Sequence, residues 1–344
     1  MYDTSVERTE VFFMIKRFTA VLMAVVLLTA CGAKGTVPAP AESPVEGNRT
    51  EIRVAGLTGP TTMGMAKLLS DSEEQKTEGK YTFSLYGSAD EVTPKLLKDE
   101  IDLAAVPANL ASVLYNNTEG GIRLLAVNTL GVLYIVETGD SIHSAADLKG
   151  KTIYATGKGS TPEYTLRYIL SENGIDPDQD VTVEFKSEPA EIVALMSGGK
   201  DVIAMLPQPY VEAAKAKVPD LRTALSLTEE WDRLGNGSQL ITGVLVARKE
   251  FVSENKEACD LFLKEYASSI EWVKDHTEEA SQLMEKYDIV KAAIAKKALP
   301  QCNLTYMGGE EMKNAVAGYL EILYGQNPKA VGGKMPGEDF YYLD

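Results

Sequence analysis

Between residues 51 and 247, short β-branched or apolar runs alternate with amphipathic stretches, and this alternation limits the chain to the α/β class with largely parallel sheets. The spacing predicts strands at 52–57, 81–86, 103–106, 122–127, 132–137, 152–155, 181–185, 202–206 and 243–247. Helices are expected between them at 61–69, 91–98, 109–115, 162–172, 190–197 and 207–215. After Ala247 the pattern becomes helical, at 256–276, 277–287 and 310–324, with hardly any strand signal. No internal repeat is apparent.

A chain of 344 residues exceeds the roughly 250–300 at which one hydrophobic core stops growing, so two domains are expected. The polar stretch 139–146 is followed by Asp147-Leu148-Lys149-Gly150-Lys151, which restarts the strand pattern and marks entry into a second lobe. The Gly- and Asn-rich stretch 233–239 marks the return. Lobe one is thus expected to comprise 51–136 and 240–344, and lobe two 137–239.

The N-terminus carries a different signal. From Met14 the chain reads MIKRFTAVLMAVVLLTAC, in which Lys16 and Arg17 precede an apolar run too short to span a bilayer as a helix. This is the layout of a secretory signal over residues 1–30, with Met14 an alternative start. Leu28, Thr29 and Ala30 before Cys31 resemble the bacterial lipobox. The resemblance implies lipidation of the Cys31 thiol by diacylglycerol, with palmitate as acyl chain, and a protein held on the extracytoplasmic face of the cell membrane. Residues 32–50, rich in Pro, Gly, Ala and Ser, read as an extended tether.

Fifty acidic residues against 34 basic ones, a formal charge of −16, exclude a phosphate-tracking surface and hence nucleic acid. Cys259 and Cys302 are the remaining cysteines; they are read as buried thiols, with pairing left to the fold. His143 and His276 stand in no metal-ligand spacing, so no metal or other cofactor is expected. Neither a Ser-His-Asp order nor a G-x-S-x-G elbow is present, and the chain is not read as an enzyme.

Three stretches, GLTGPTTMGMAKLL, KLLKDEIDLAAVPANLASVLY and DLKGKTIYATGKGSTPEYTLRYIL, together with this order of elements, resemble type II solute-binding proteins of ABC importers. The chain is similar to the branch that includes sulfonate, nitrate, taurine and thiamine-pyrimidine-precursor binders. The resemblance implies a two-lobe fold closing on a small polar or anionic organic solute, which is passed to separate permease and ATPase subunits. The chain itself has no GxxxxGK[ST] phosphate loop. A monomer is expected. An extracytoplasmic sensor, or a pyrimidine-metabolism enzyme on the same fold, is the alternative.

In open α/β sheets ligands sit beyond the carboxyl ends of strands, where helix N-termini offer free N–H groups. Four turns occupy such places: Gly59-Pro60-Thr61-Thr62, Tyr86-Gly87-Ser88, Pro107-Ala108-Asn109, and Lys158-Gly159-Ser160-Thr161-Pro162. Asn128 and Thr129 end a strand, Glu188 precedes a helix, and Gln208 stands between two prolines that stiffen its backbone. Any one of these turns taken alone reads first as a plain helix cap; a binding surface requires that they converge from two lobes. No arginine occurs in the turns, which disfavours a doubly charged anion and leaves Lys158 and helix dipoles as the positive potential.

Overall fold

The computed structural model describes residues 50–343. The expected signal segment, Cys31 and the expected tether up to residue 49 lie outside the described residues. Among the described residues there are eleven strands: β1 (Glu51–Leu57), β2 (Lys80–Tyr86), β3 (Leu103–Pro107), β4 (Ile122–Leu130), β5 (Leu133–Glu137), β6 (Thr152–Ala155), β7 (Thr182–Phe185), β8 (Ile203–Pro207), β9 (Arg222–Ser226), β10 (Ile241–Arg248) and β11 (Leu304–Met307). They form a six-stranded sheet in the order β11-β4-β10-β3-β1-β2 and a five-stranded sheet in the order β7-β6-β8-β5-β9. All nine expected strands are found, with each end within three residues of its expected place. β9 and β11 had not been anticipated.

Both sheets are mixed. β1 pairs in parallel with β2 and β3, and β6 with β7 and β8. The remaining five pairings are antiparallel. The expectation of largely parallel sheets therefore describes the strand triplets only, because the strands that cross between sheets return antiparallel to them. β3, paired on both sides within the first sheet, is shielded on both faces: Leu103, Ala104, Ala105 and Val106 are all buried. The edge strand β7 alternates exposed Thr182 and Glu184 with half-buried Val183 and Phe185.

The two triplets repeat one another, contrary to the reading that the chain has no internal repeat. Each runs strand-helix-strand-helix-strand with its first strand in the middle, and residues spaced by about one hundred correspond: Gly59 and Gly159, Thr61 and Thr161, Glu91 and Glu191, Pro107 and Pro207. The signal is weak along the chain because the repeat preserves burial and turn chemistry and little else.

Sheet membership changes twice. β4 belongs to the first sheet and β5 to the second, so the first crossing lies at Gly131-Val132, some five residues before the boundary expected after Val136. β5 reads like a continuation of the preceding strand because both are apolar. The second crossing lies between β9 and β10. The two crossings touch: a Cβ on Gly131 would stand 2.2 Å from Thr228 Oγ1 and 2.9 Å from a Leu240 methyl.

The helix expected at 61–69 is broken into Pro60–Met63 and Ala66–Glu73. Gly64 at the break admits Ile270 from the long helix Lys256–Asp275, whose side chain a Cβ would meet at 2.7 Å. Ser269 satisfies the interrupted backbone, donating to the Gly64 carbonyl at 2.7 Å and accepting from Leu68 N at 3.0 Å. One core packs Ile52, Leu125 and Leu245 against that helix. Another covers the opposite face of the first sheet and runs without interruption into the second, joining Val127 and Val244 to Ile135, Ile153 and Met205.

Candidate functional site

The carboxyl ends of β1 and β3 in one sheet and of β6 and β8 in the other carry buried polar side chains. Thr61, Thr62, Asn109, Asn128, Thr129, Thr161 and Gln208 are each no more than 7% exposed. Asn109 opens the helix Ala108–Asn117 and Thr161 opens the helix Thr161–Glu172; neither helix receives a side-chain cap. Thr161 Oγ1 donates to Asn109 Oδ1 at 3.2 Å, so these two helix starts from different sheets meet directly. Asn109 Nδ2 donates to the Ala330 carbonyl at 3.0 Å, which fixes the orientation of its amide.

A second contact joins the sheets through Gln208. Its Nε2 donates to Gln301 Oε1 at 3.0 Å, and Tyr134 donates from its hydroxyl to the Gln301 carbonyl at 3.2 Å. Burial pushes the Tyr134 hydroxyl up to about 12, so it remains a donor at neutral pH. Thr129 Oγ1 donates to Asn128 Oδ1 at 2.9 Å. Gly243 of β10 lets Thr61 and Asn128 close in, since a Cβ there would lie 2.5 Å from Thr61 Cγ2 and 2.6 Å from Asn128 Oδ1.

Aromatic residues flank this polar seam. The Trp231 ring packs between Tyr168, at 4.7 Å between ring centroids, and Tyr319, at 5.7 Å, and its Nε1 donates to Ser238 in the second crossing. The Tyr319 hydroxyl lies beside Thr161 and Thr165, and the Tyr266 hydroxyl beside Asn128, without hydrogen bonds of normal geometry. Thr165 Oγ1, Asn128 Nδ2 and Gln208 Oε1 likewise lack hydrogen-bond partners. Burial pushes Tyr319 up to about 12 and raises Tyr266 as well.

Other residues singled out in the sequence stand apart from the seam. Gly59 is buried, whereas Pro60, Tyr86, Pro107 and Ser160 are half-buried and Ser88, Lys158 and Glu188 are exposed. Ser88 and Glu188 sit at helix starts in capping boxes closed by Glu91 and Glu191. Ser160 Oγ donates to the Gly157 carbonyl at 2.9 Å, and the Gly159 amide donates to Glu163 at 2.7 Å, so this turn spends its polar groups on itself. Lys158 Nζ lies 6.0 Å from the Phe185 ring centroid.

Gln301, Tyr134, Thr165, Tyr266, Tyr319 and Trp231 were not identified from the sequence as site residues. None of them lies on a turn that the strand-to-helix rule would flag. Cys259 and Cys302 are free and buried, with thiols that burial pushes up to about 12. Cys302 Sγ instead contacts Met63 Sδ at 3.7 Å. A hollow of about 650 Å³ bounded by Thr50, Ile52, Tyr81 and Asn255 lies at the amino end of β1, a strand length of roughly 20 Å from the Gly59 turn, and is separate from the seam.

Comparison with known proteins matches residues 66–298 to the family model of periplasmic substrate-binding proteins of phosphonate ABC transporters. An ABC transporter structure from Parabacteroides distasonis superposes with a TM-score of 0.72 at 25% identity, over 86% of this chain and 99% of that one. The aliphatic sulphonate binding protein of Escherichia coli gives a TM-score of 0.67 at 18% identity, over 83% and 92%. A binding protein of Brucella abortus strain 2308 is 28% identical over 145 residues, which are 42% of this chain and 43% of that protein. The chain thus spans less than half the length of the curated relatives it matches. With more than half of its residues inside one family model, and the two-sheet architecture of these solved structures, the chain belongs to the ABC-transporter periplasmic substrate-binding protein family of the phosphonate type.

Proposed function

We propose that this chain is the extracytoplasmic solute-capturing subunit of an ABC importer. Lobe one (51–130 and 241–344) and lobe two (133–226 with the following helix) close on a small polar organic solute, which is delivered to separate permease and ATPase subunits. Thr61, Thr62, Asn109, Asn128, Thr129, Thr161 and Gln208 form the contact surface. Gly59, Pro60, Pro107 and Ser160 hold the backbone behind it, and Tyr86, Ser88, Lys158 and Glu188 stand at the rim. The protein acts as a monomer tethered to the membrane through lipidated Cys31.

One observation carries this reading: polar side chains from both sheets are buried against each other while several of their atoms stay unpaired. A buried polar atom without a partner costs about 1–3 kcal/mol. A dry closed seam is therefore penalised relative to one in which a solute meets these atoms, and the adjacent crossings at Gly131 and Leu240 supply a place to hinge.

Calorimetric titration and thermal-shift assays with small nutrients test capture. A cognate solute is expected to raise Tm, by about 2.7 kcal/mol of stabilisation at a hundredfold excess over Kd, and to change the emission of Trp231. Anchoring is tested separately: Cys31→Ser is expected to move the protein from the detergent phase to the aqueous phase and abolish palmitate labelling. An unchanged partition would remove the anchor from the model and leave capture untouched.

A further inference from the structure

We infer that Gln301-Cys302-Asn303 is a latch, three consecutive residues that hold the two lobes shut across the seam before any solute arrives. This rests on the reading that two lobes close on a solute, and it names what sets their resting position. The tripeptide begins at the end of the turn Leu299–Gln301, behind the helix Ala292–Ala298, which packs on the lobe-two helix Tyr210–Lys217. Each of its residues grips a different part of the molecule. Gln301 reaches lobe two, Cys302 the core of lobe one, and Asn303 the first crossing.

Cys302 is the anchor. It is fully buried in one core with Ile52, Leu125 and Leu245, and its Sγ lies 3.7 Å from Met63 Sδ. Met63 ends the helix Pro60–Met63 that carries Thr61 and Thr62, so the latch is seated against the first turn of the seam. Asn303 grips the crossing twice: its carbonyl accepts from Leu130 N at 3.1 Å, and its Nδ2 donates to the Gly131 carbonyl at 2.5 Å. Its backbone is left-handed, with φ 44°, a conformation that asparagine tolerates better than most residues. The next carbonyl of the crossing, that of Val132, accepts from Gln208 N at 2.9 Å, so Asn303 and Gln208 hold adjacent carbonyls.

Gln301 is the releasable end. Its carbonyl accepts from the Tyr134 hydroxyl at 3.2 Å, and its side-chain amide pairs with that of Gln208 at 3.0 Å. The pairing survives reversal of both amides together, because each offers a donor and an acceptor. Gln301 is half-buried, and each of these neutral hydrogen bonds is a factor of about two to ten in the ratio of closed to open form. Two such bonds bias the lobes toward closure and still break when the lobes part, whereas fully buried Cys302 keeps the latch on lobe one.

Asn109 and Thr161 supply the readout. Their helices have no side-chain caps, so N–H groups of the first turn find no acceptor within the helix, and closure of the seam shields these two buried residues. Hydrogen exchange of both amides is followed in the full chain in detergent, with native mass spectrometry showing no bound solute; the rate rises with the population of the open form. Gln301→Leu combined with Tyr134→Phe removes both links at nearly constant bulk. It is expected to speed both amides about tenfold and to leave the helix Lys256–Asp275 unchanged. Exchange at the wild-type rate, faster exchange confined to residues 130–134 and 299–303, or faster exchange shared by Lys256–Asp275 overturns the latch. So does wild-type exchange at the rate of an unstructured chain, since the lobes would then rest open. Should the double variant not fold, Asn303→Gly keeps the left-handed backbone and drops the clamp on Gly131; it is expected to speed both amides about threefold or more, and no change in it overturns the latch. The measurement uses no solute, so its failure leaves capture standing, whereas nutrients that all leave Tm unmoved remove capture and leave the latch.

Discussion

The turn after β1 and the turn after β6 are the same idea used for two purposes. Both read Gly, one residue, Thr, and both open a helix. In the first, Thr61 seats on Gly243 and Thr62 on Gly56, where a Cβ would meet its Oγ1 at 2.4 Å, so the turn is bolted to its own sheet. In the second, Thr161 reaches out of its sheet to Asn109. The third strands differ in the same way: Ala108 follows Pro107 in one triplet and Gln208 follows Pro207 in the other, and only Gln208 reaches the opposite half, at Gln301. A repeat therefore conserves where a group stands while its neighbours decide whether the group holds the half together or joins it to the other.

If the halves depend chiefly on the aromatic flank, its removal should dominate. Trp231→Ala is expected to cost about 3–5 kcal/mol, as for other fully buried large aromatics. It should separate a single unfolding transition into two, read by calorimetry, with Trp231→Phe recovering most of the loss. One cooperative transition in Trp231→Ala would show instead that the polar flank suffices to couple the halves.

Each half also holds a buried carboxylate tied to arginine, Asp102 in one and Glu137 in the other. Burial raises Asp102, but the Arg53 side chain and amide and the Arg248 guanidinium outweigh it and leave its pKa below the ordinary value. Burial likewise raises Glu137, which the Ser141 and Ile142 amides and Arg222 bring down on balance. A depressed folded pKa gives stability that is complete above the unfolded value of roughly 4 and is lost as pH falls through the folded value. Asp102→Asn and Glu137→Gln are each expected to cost about 1.5–3 kcal/mol at neutral pH, the range for hydrogen bonds to charged groups. Melting curves from pH 7 to 3 should show the deficit shrinking toward the acid end. A deficit independent of pH would assign these residues a packing role alone.

The smallest effect should be the link between the two turns. A double-mutant cycle of Asn109→Leu and Thr161→Val is expected to give a coupling of about 0.5–1.5 kcal/mol in urea denaturation. Thr61→Val, whose methyl group already packs on Gly243, should show no coupling to Asn109→Leu. Equal coupling from both threonines would erase the distinction between the two turns.

Much of the fold was legible because strand alternation and cap chemistry are local. Runs such as Leu103–Pro107 and Ile203–Pro207 are apolar because both faces are covered, and the turns that follow them need Gly, Pro, Ser or Thr for backbone reasons alone. β9 and β11 escaped notice because Arg222-Thr223-Ala224 and Leu304-Thr305-Tyr306 are short outer strands with partly exposed side chains and little alternation. At the site, Asn109, Thr161 and Gln208 were found from their place at strand ends, whereas Ser88 and Glu188 obey the same rule and serve as caps. Gln301 and Trp231 had no such marker, since their importance comes from what stands opposite.

The amino-acid sequence by itself determined the α/β class, the positions of most strands and helices, the glycine-bearing turns at strand ends and the scarcity of cations near them, because each follows from residues within a few positions of one another. Tertiary structure alone decided which strands share a sheet, that the chain crosses at Gly131, and which polar atoms are left without partners. Those outcomes depend on groups one hundred or more residues apart meeting in a buried layer, and no local pattern records the partner at the other end of such a contact.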